Sequence, residues 1–281
     1  GAGLLNVLLA LVVWLLAKQT GWASDAAASE PPVVASTSPV QPVALLLAVA
    51  LVTGCASFIY EIGWIRMLSM VLGASTHAFE LMLAAFILGL SLGALWIRAR
   101  IDTLRDPVSC LGIVQLLMGV LALGTLVIYG STFELMEHLM SGLKRNIAGY
   151  GLFNLSSHFI ALLVMLPVTF CAGMTLPLIT HVLLKGGAGE RAIGHVYAAN
   201  TVGAIAGVML AVHLLMPLLG LKLLICVGAG LDIVAGAVLL LWANPAAKEA
   251  ITRSSWRTGI RYGPIAAGTA ALVAAVLVVE L

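Results

Sequence analysis

Long apolar runs separated by short polar breaks make up the chain, and the runs have the length of helices rather than strands. They occupy Gly3 to Ala17, Val43 to about Gly73, Ala78 to Ile97, Val108 to Tyr129, His158 to Leu184, His195 to Met216, Leu223 to Trp242 and Ile265 to Val279. A helix of about 20 apolar residues crosses the hydrocarbon core of a bilayer. The pattern therefore predicts an all-α polytopic membrane protein with about eight transmembrane spans. Two runs are irregular. Gly3 to Ala17 is short and ends at Lys18, whereas Val43 to Gly73 would be about 46 Å long at ~1.5 Å per residue, against a core of ~30 Å. The long run must tilt, break near Gly54 or Gly63, or project from the membrane.

The breaks between runs divide the chain into five parts. Residues 1–18 read as a transmembrane helix, and 19–42 as a linker in which Ser24 to Pro42 holds Pro31, Pro32, Pro39 and Pro42 and no basic residue. Residues 43–243 form the main membrane domain. Residues 244–262 carry Lys248, Arg253, Arg257 and Arg261 with Trp256 and Tyr262, the pattern of a segment resting at anionic headgroups, and 263–281 read as a final transmembrane helix. Gly1-Ala2-Gly3-Leu4 before the run to Trp14 and Ala17 echoes Gly228-Ala229-Gly230-Leu231 before the run to Trp242 and Ala243. On that echo, 1–18 is the end of a preceding repeat. The chain opens on Gly1 inside one apolar run and stops at Leu281 inside another, so a fragment of something longer is expected.

Composition sharpens the class. The chain is 62% hydrophobic and 9% charged, with a mean hydropathy of +1.12, more apolar surface than a soluble core of this size could hide. Its net charge of +2, without a basic block, excludes nucleic acid as a partner. Cys55, Cys110, Cys171 and Cys226 lie in apolar runs without CxxC spacing and read as small hydrophobes. His158, His181, His195 and His213 show no metal-ligand spacing, so no metal or cofactor is expected.

Charge also gives orientation. One side of the spans collects Lys18, Arg98, Arg100, Arg105, Lys185, Arg191, Lys248, Arg253, Arg257 and Arg261, the other Arg66, Lys144, Arg145 and Lys222. Ten against four places the first set in the cytoplasm, as in a multi-pass protein of a bacterial-type inner (plasma) membrane. On the outer side, Ser131-Thr132-Phe133-Glu134 reads as a capping box opening a short interfacial helix.

Candidate chemistry lies where polar residues interrupt the apolar runs, because intramembrane charge is expensive. Glu61, Arg66, His77 and Glu80 cluster around the turn at Gly73 to Thr76. Glu61 and Arg66, five apart, are offset by about 140° on a helix, so Arg66 is expected to reach Glu80 or His77 of the returning helix. Two readings stand: a helix-hairpin clamp, or a polar path for substrate or proton. Asp232, in mid-span, needs a partner on another helix, with Asn200 and Thr201 as candidates. Gly89 with Gly93, and Gly203 with Gly207, fall at helix-packing spacing. Pro167 and Pro177, with Thr169, Gly173 and Thr175, interrupt another run, either as a packing kink or as a broken helix lining a site.

Three ordered motifs resemble one family. Tyr60-Glu61 with Trp64, Arg66, Gly73 and Ser75 is the first. Leu166-Pro167 through Gly173-Met174-Thr175-Leu176-Pro177-Leu178 is the second. Gly194-His195-Val196-Tyr197-Ala198-Ala199-Asn200-Thr201-Val202-Gly203-Ala204 with Gly207, followed by Leu215 to Leu221, is the third. Together, over about Val43 to Ala243, they resemble the membrane-embedded spermidine-synthase-like proteins, in which a transporter-like membrane half is fused to a soluble aminopropyltransferase. The resemblance implies a six-helix transporter-like bundle plus flanking helices, with Leu88 to Arg105 similar to an inner loop of major facilitator proteins. It also implies a membrane domain that anchors, scaffolds or feeds a soluble catalytic domain. The Rossmann-like half is not in these residues: no strand leads into a GxGxxG turn, and no catalytic residue is assigned. Two other readings remain open, a non-catalytic helical accessory subunit of a larger energy-transducing complex, and a transporter of a small cation or polyamine through Glu61, Glu80 and Asp232. Expected partners are the lipid bilayer and either a soluble catalytic domain or other membrane subunits.

Overall fold

The structure, a computed structural model, describes residues 43–142 and 146–243 together with Leu11, Val12 and Leu15. Contacts divide the chain into two units, Gly1–Pro39 and Val40–Leu281. In the first unit the three described residues are helical. The linker 19–42, the basic segment 244–262 and the final span 263–281 lie outside the described residues, as does most of the first span.

In the second unit every regular element among the described residues is helical. The order is α1 (Val43–Leu72), α2 (Thr76–Arg98), a 3-10 turn (Ile101–Thr103), α3 (Pro107–Gly142), α4 (Ile147–Lys185), α5 (Arg191–Leu210), a π-helical turn (Ala211–Leu215) and α6 (Met216–Ala243). Local chemistry sets the boundaries. Gly73, at φ +87°, ends α1 in a conformation that a Cβ would strain, and the Ser75 hydroxyl caps α2 by accepting from the Ala78 amide at 3.1 Å. Asp106 caps α3 by accepting from the Val108 and Ser109 amides, with Pro107 at the first helical position, and Asn146 caps α4 through the Gly149 amide.

Among the described residues, five stretches are long and apolar enough to cross a membrane: α1, α2, α3, Gly149–Lys185 and the 53-residue run Arg191–Ala243. This corrects the expected eight spans. Two of the eight fall on residues outside those described. Two more, His195 to Met216 and Leu223 to Trp242, belong to the one 53-residue run. That run is not straight: at ~1.5 Å per residue it would reach about 80 Å, and Gly220 (φ 75°, ψ 178°) breaks it. Helix contacts show that the chain reverses there. Gly203 and Gly207 of α5 lie against the Leu51 and Cys55 carbonyls in that order, so α5 runs parallel to α1. Ile225 and Gly228 of α6 lie against Gly63 and Tyr60, so α6 runs antiparallel to it.

The same reasoning orders the rest. Thr53–Gln115 and Trp64–Thr125 make α3 parallel to α1, while Gly112 against Leu240 and Gly119 against Ile233 make α6 antiparallel to α3. His77 beside His158 and Trp96 beside Phe170 make α4 parallel to α2. The turns at Gly73 and Gly220 therefore share one end of the bundle, and Arg98, Arg100, Arg105, Lys185 and Arg191 share the other, the basic end.

Helix α1 packs mainly on α5 and α6, α2 on α4, and α3 on α6 and α4, whereas α1 and α2 barely touch each other despite being joined by a tight turn. Glycines permit the closest crossings. A methyl group at Gly203 would collide with the Leu51 carbonyl oxygen, at Gly93 with that of Phe170, and at Gly89 with the Thr169 hydroxyl. Large apolar side chains such as Leu218, Leu155 and Val234 face outward, as a bilayer permits and water does not.

Three further expectations change. No separate interfacial helix begins at Ser131: the Thr132 hydroxyl donates back to the Tyr129 carbonyl at 2.6 Å instead of capping forward, and α3 continues to Gly142. Helix α4 begins at Ile147, ahead of His158, and runs through Pro167 and Pro177 without interruption. Helix α1 passes Gly54 and Gly63 unbroken, because both glycines serve close packing against Asn200 of α5 and Ile225 of α6.

Candidate functional site, a buried polar seam along the first helix

Thr53, Tyr60, Trp64 and Met67 follow one another on α1 at spacings of seven, four and three residues, which places them on one face of the helix. Each is joined across that face to another helix. The Gln115 amide of α3 donates to the Thr53 hydroxyl. The Tyr60 hydroxyl donates to Asp232 Oδ2 of α6 at 2.6 Å. The Trp64 indole donates to the Thr125 hydroxyl of α3 at 3.1 Å, and the Tyr129 hydroxyl of α3 donates to the Met67 carbonyl at 3.1 Å. The Tyr60 and Trp64 rings stack with centroids 5.3 Å apart.

The seam is buried and closely fitted. Tyr60, Trp64, Gln115, Thr125 and Asp232 are all buried. The absence of a side chain at Gly228, one turn before Asp232, makes room for the Tyr60 ring, since a Cβ there would stand 2.7 Å from its Cε1. A hydrogen bond in such surroundings is strong because the alternative is an unsatisfied group in an apolar medium. Two acceptors on the seam have no partner among the described residues: Asp232 Oδ1 and Gln115 Oε1. The arrangement can therefore tie α1 rigidly to α3 and α6. It can also offer an unshared carboxylate oxygen to a proton or a small cation within the bundle.

The residues singled out from sequence do not meet in one place. Asp232 does sit on the seam, but its partner is Tyr60 rather than Asn200 or Thr201. Asn200 packs its backbone and Oδ1 against Gly54, and the Thr201 hydroxyl donates to the Tyr197 carbonyl. Glu61 follows Tyr60 and is half-buried, while Arg66 is exposed and makes no ion pair with Glu80 or His77. The expected clamp fails because α2 presents its packing face to α4 and leaves α1 alone. His77 and Glu80 are exposed and approach each other at 4.0 Å across one turn of α2, with the His158 ring of α4 alongside. Gly89 and Gly93 seat α2 on α4, and Gly203 and Gly207 seat α5 on α1.

Reasoning from sequence missed Thr53, Gln115, Trp64 and Thr125 as seam members and used Tyr60 and Trp64 only as motif residues. A signal existed: a lone amide, Gln115, inside the run Val108 to Tyr129, and a polar or aromatic stripe at helical spacing on α1. No group of three His, Cys, Asp or Glu side chains placed to hold a metal occurs among the described residues. No protein-family model matches the chain, and neither a curated protein nor a solved structure matches it.

Proposed function

We propose that the chain is the integral membrane domain of a spermidine-synthase-like protein, a rigid helical scaffold that holds a soluble catalytic domain at the membrane. The observation that carries this reading is the use made of the motif residues. Tyr60 and Trp64 of the first motif are buried in bonds between α1 and its neighbours, Gly173 of the second lies against the Leu90 carbonyl, and Gly203 and Gly207 of the third seat α5 on α1. Residues that resemble the family's signature thus serve a fixed packing, as a scaffold requires. Aminopropyl transfer, on this reading, belongs to the soluble domain.

The test is isolation of the protein from its native membranes in mild detergent, followed by mass spectrometry. A Rossmann-like aminopropyltransferase domain, covalently continuous or bound in equal amount, is the expected result. A stoichiometric set of energy-transducing subunits in its place would replace the scaffold reading with that of an accessory subunit. The unshared Asp232 Oδ1 favours a second reading, movement of a small cation or polyamine through the bundle. Proteoliposome uptake that is lost in Asp232→Asn would support it, and uptake unchanged by the substitution would remove it.

A further inference from the structure

Between α3 and α4, near the basic end of the bundle, lies a cavity of about 720 Å³ closed on its third side by Trp96 of α2. Ile113, Leu117 and Leu121 of α3 and Leu166 and Phe170 of α4 form its walls, and Ile113 and Leu117 are themselves exposed on the bundle surface. Polar lining is confined to one end, where Asp106 and Ser109 begin α3. From Asp106 to Leu121 the groove spans about 22 Å along α3, close to the depth of one leaflet with its headgroup layer, half of a hydrocarbon core being ~15 Å.

A positive charge stands beside Trp96, which lines the groove. The Arg100 guanidinium lies 4.4 Å from the centroid of the Trp96 ring, is exposed, and makes no ion pair among the described residues. Asp106, the charged residue that lines the groove itself, is engaged at the start of α3: its oxygens accept from the Val108 and Ser109 amides and the Ser109 hydroxyl, and the positive end of the helix dipole offsets part of its charge. Nor is the groove shaped for another helix, which would use small residues for close approach. The glycines that make the close crossings of these helices face elsewhere: Gly112 and Gly119 of α3 meet α6, and Gly173 of α4 meets α2.

From this geometry we infer that the groove is a binding site for one anionic phospholipid, its phosphodiester on Arg100 and an acyl chain between α3 and α4. The site stands on the groove alone and is independent of the scaffold reading. Arg100 gives it a preference for anionic over zwitterionic headgroups, and Trp96 holds the guanidinium at the level of the headgroup.

The experiment is native mass spectrometry of the full chain, delipidated in mild detergent and titrated with dioleoyl phosphatidylglycerol or dioleoyl phosphatidylcholine. One phosphatidylglycerol is expected to bind per chain in preference to phosphatidylcholine. Arg100→Gln should weaken the phosphatidylglycerol adduct about tenfold and erase the preference, as loss of a charge-assisted bond does. Leu117→Trp, which fills the groove, should lose both lipids, while Leu155→Trp, on an exposed position outside the groove, should lose neither. Equal retention of both lipids by the wild-type chain, or an undiminished adduct in Leu117→Trp, overturns the proposal. So does a species of twice the chain mass that excludes lipid, since it would make the groove a contact between copies. If Leu117→Trp fails to fold, Arg100→Gln, at an exposed position, still decides between a headgroup site and nonspecific adhesion.

Discussion

Tyr60 and Asp232 stand 172 residues apart in sequence and share a 2.6 Å hydrogen bond in the middle of the bundle. The bond joins α1 to α6, and nothing else among the described residues satisfies the carboxyl. Removal of the hydroxyl in Tyr60→Phe should therefore destabilise the protein by about 1–3 kcal/mol, the cost of stranding a buried polar group. Replacing both partners in Tyr60→Phe with Asp232→Leu should cost less than the two single changes added together. Thermal unfolding in detergent, followed by circular dichroism for all four proteins, measures that coupling. Strictly additive losses would mean that the bond holds nothing in place.

Glycine substitutions should separate packing from conformation. Gly203→Val drives a side chain into the Leu51 carbonyl and should prevent α5 from seating, with loss of a monodisperse gel-filtration peak. Gly194→Ala, also on α5 and with open space around it, should leave that peak unchanged.

Gly220→Ala presents the opposite case. Nothing lies within 4 Å of the added methyl group, so the cost is that of forcing a side chain into a backbone conformation (φ 75°, ψ 178°) that glycine alone adopts readily, about 1–3 kcal/mol. Gly220→Asn should recover none of the loss, because asparagine's tolerance of positive φ belongs to the left-handed helical region, far from ψ 178°. A melting temperature that ranks Gly above both Asn and Ala, with those two alike, is the expected outcome.

Reversal at Gly220 also fixes which positions share a side of the membrane. In a chain with its native cysteines replaced, Glu190→Cys and Trp242→Cys should react with an impermeant maleimide from one side of a sealed vesicle, and Leu218→Cys from the other. The excess of basic residues predicts that the first pair faces the cytoplasm. Labelling of all three from a single side would contradict two crossings within Arg191–Ala243.

His77 and Glu80 give a contrasting prediction. They are 49% and 67% exposed and 4.0 Å apart, so Glu80→Gln should change stability by no more than about 0.5 kcal/mol. A larger effect in the same thermal assay would assign this pair a role that its exposure does not explain.

Much of the helical order was legible because lipid-facing helices are apolar all round and their interruptions are polar or glycine. Gly73 to Thr76 reads as a turn between two apolar runs, and the structure ends α1 and caps α2 within it. Partners across the bundle were not legible. Asp232 reads as an isolated charge, and no local pattern indicates that Tyr60 is its donor. Arg66 reads as a partner for Glu80 or His77 because α1 and α2 are joined by a tight turn, and these two helices barely touch. Ser131-Thr132-Phe133-Glu134 has the composition of a helix start, but Thr132 bonds backward, and the preceding apolar helix has no reason to stop. The span count differs at one described place: His195 to Met216 and Leu223 to Trp242 read as two runs, and the structure joins them in Arg191–Ala243 with Gly220 alone non-helical at the reversal.

The separation of α1 from α2 bears on how the protein is made. Helices α1 and α2 are neighbours in the chain but find their main contacts on α5, α6 and α4, so this hairpin gains little packing of its own as the nascent chain emerges. At roughly 5–20 residues per second, the 172 residues between Tyr60 and Asp232 take on the order of tens of seconds to synthesise. Throughout that interval the Tyr60 hydroxyl lacks the Asp232 acceptor it donates to in the folded bundle. Helix α1 thus completes this contact only when α6, the last of the six helices, is in place.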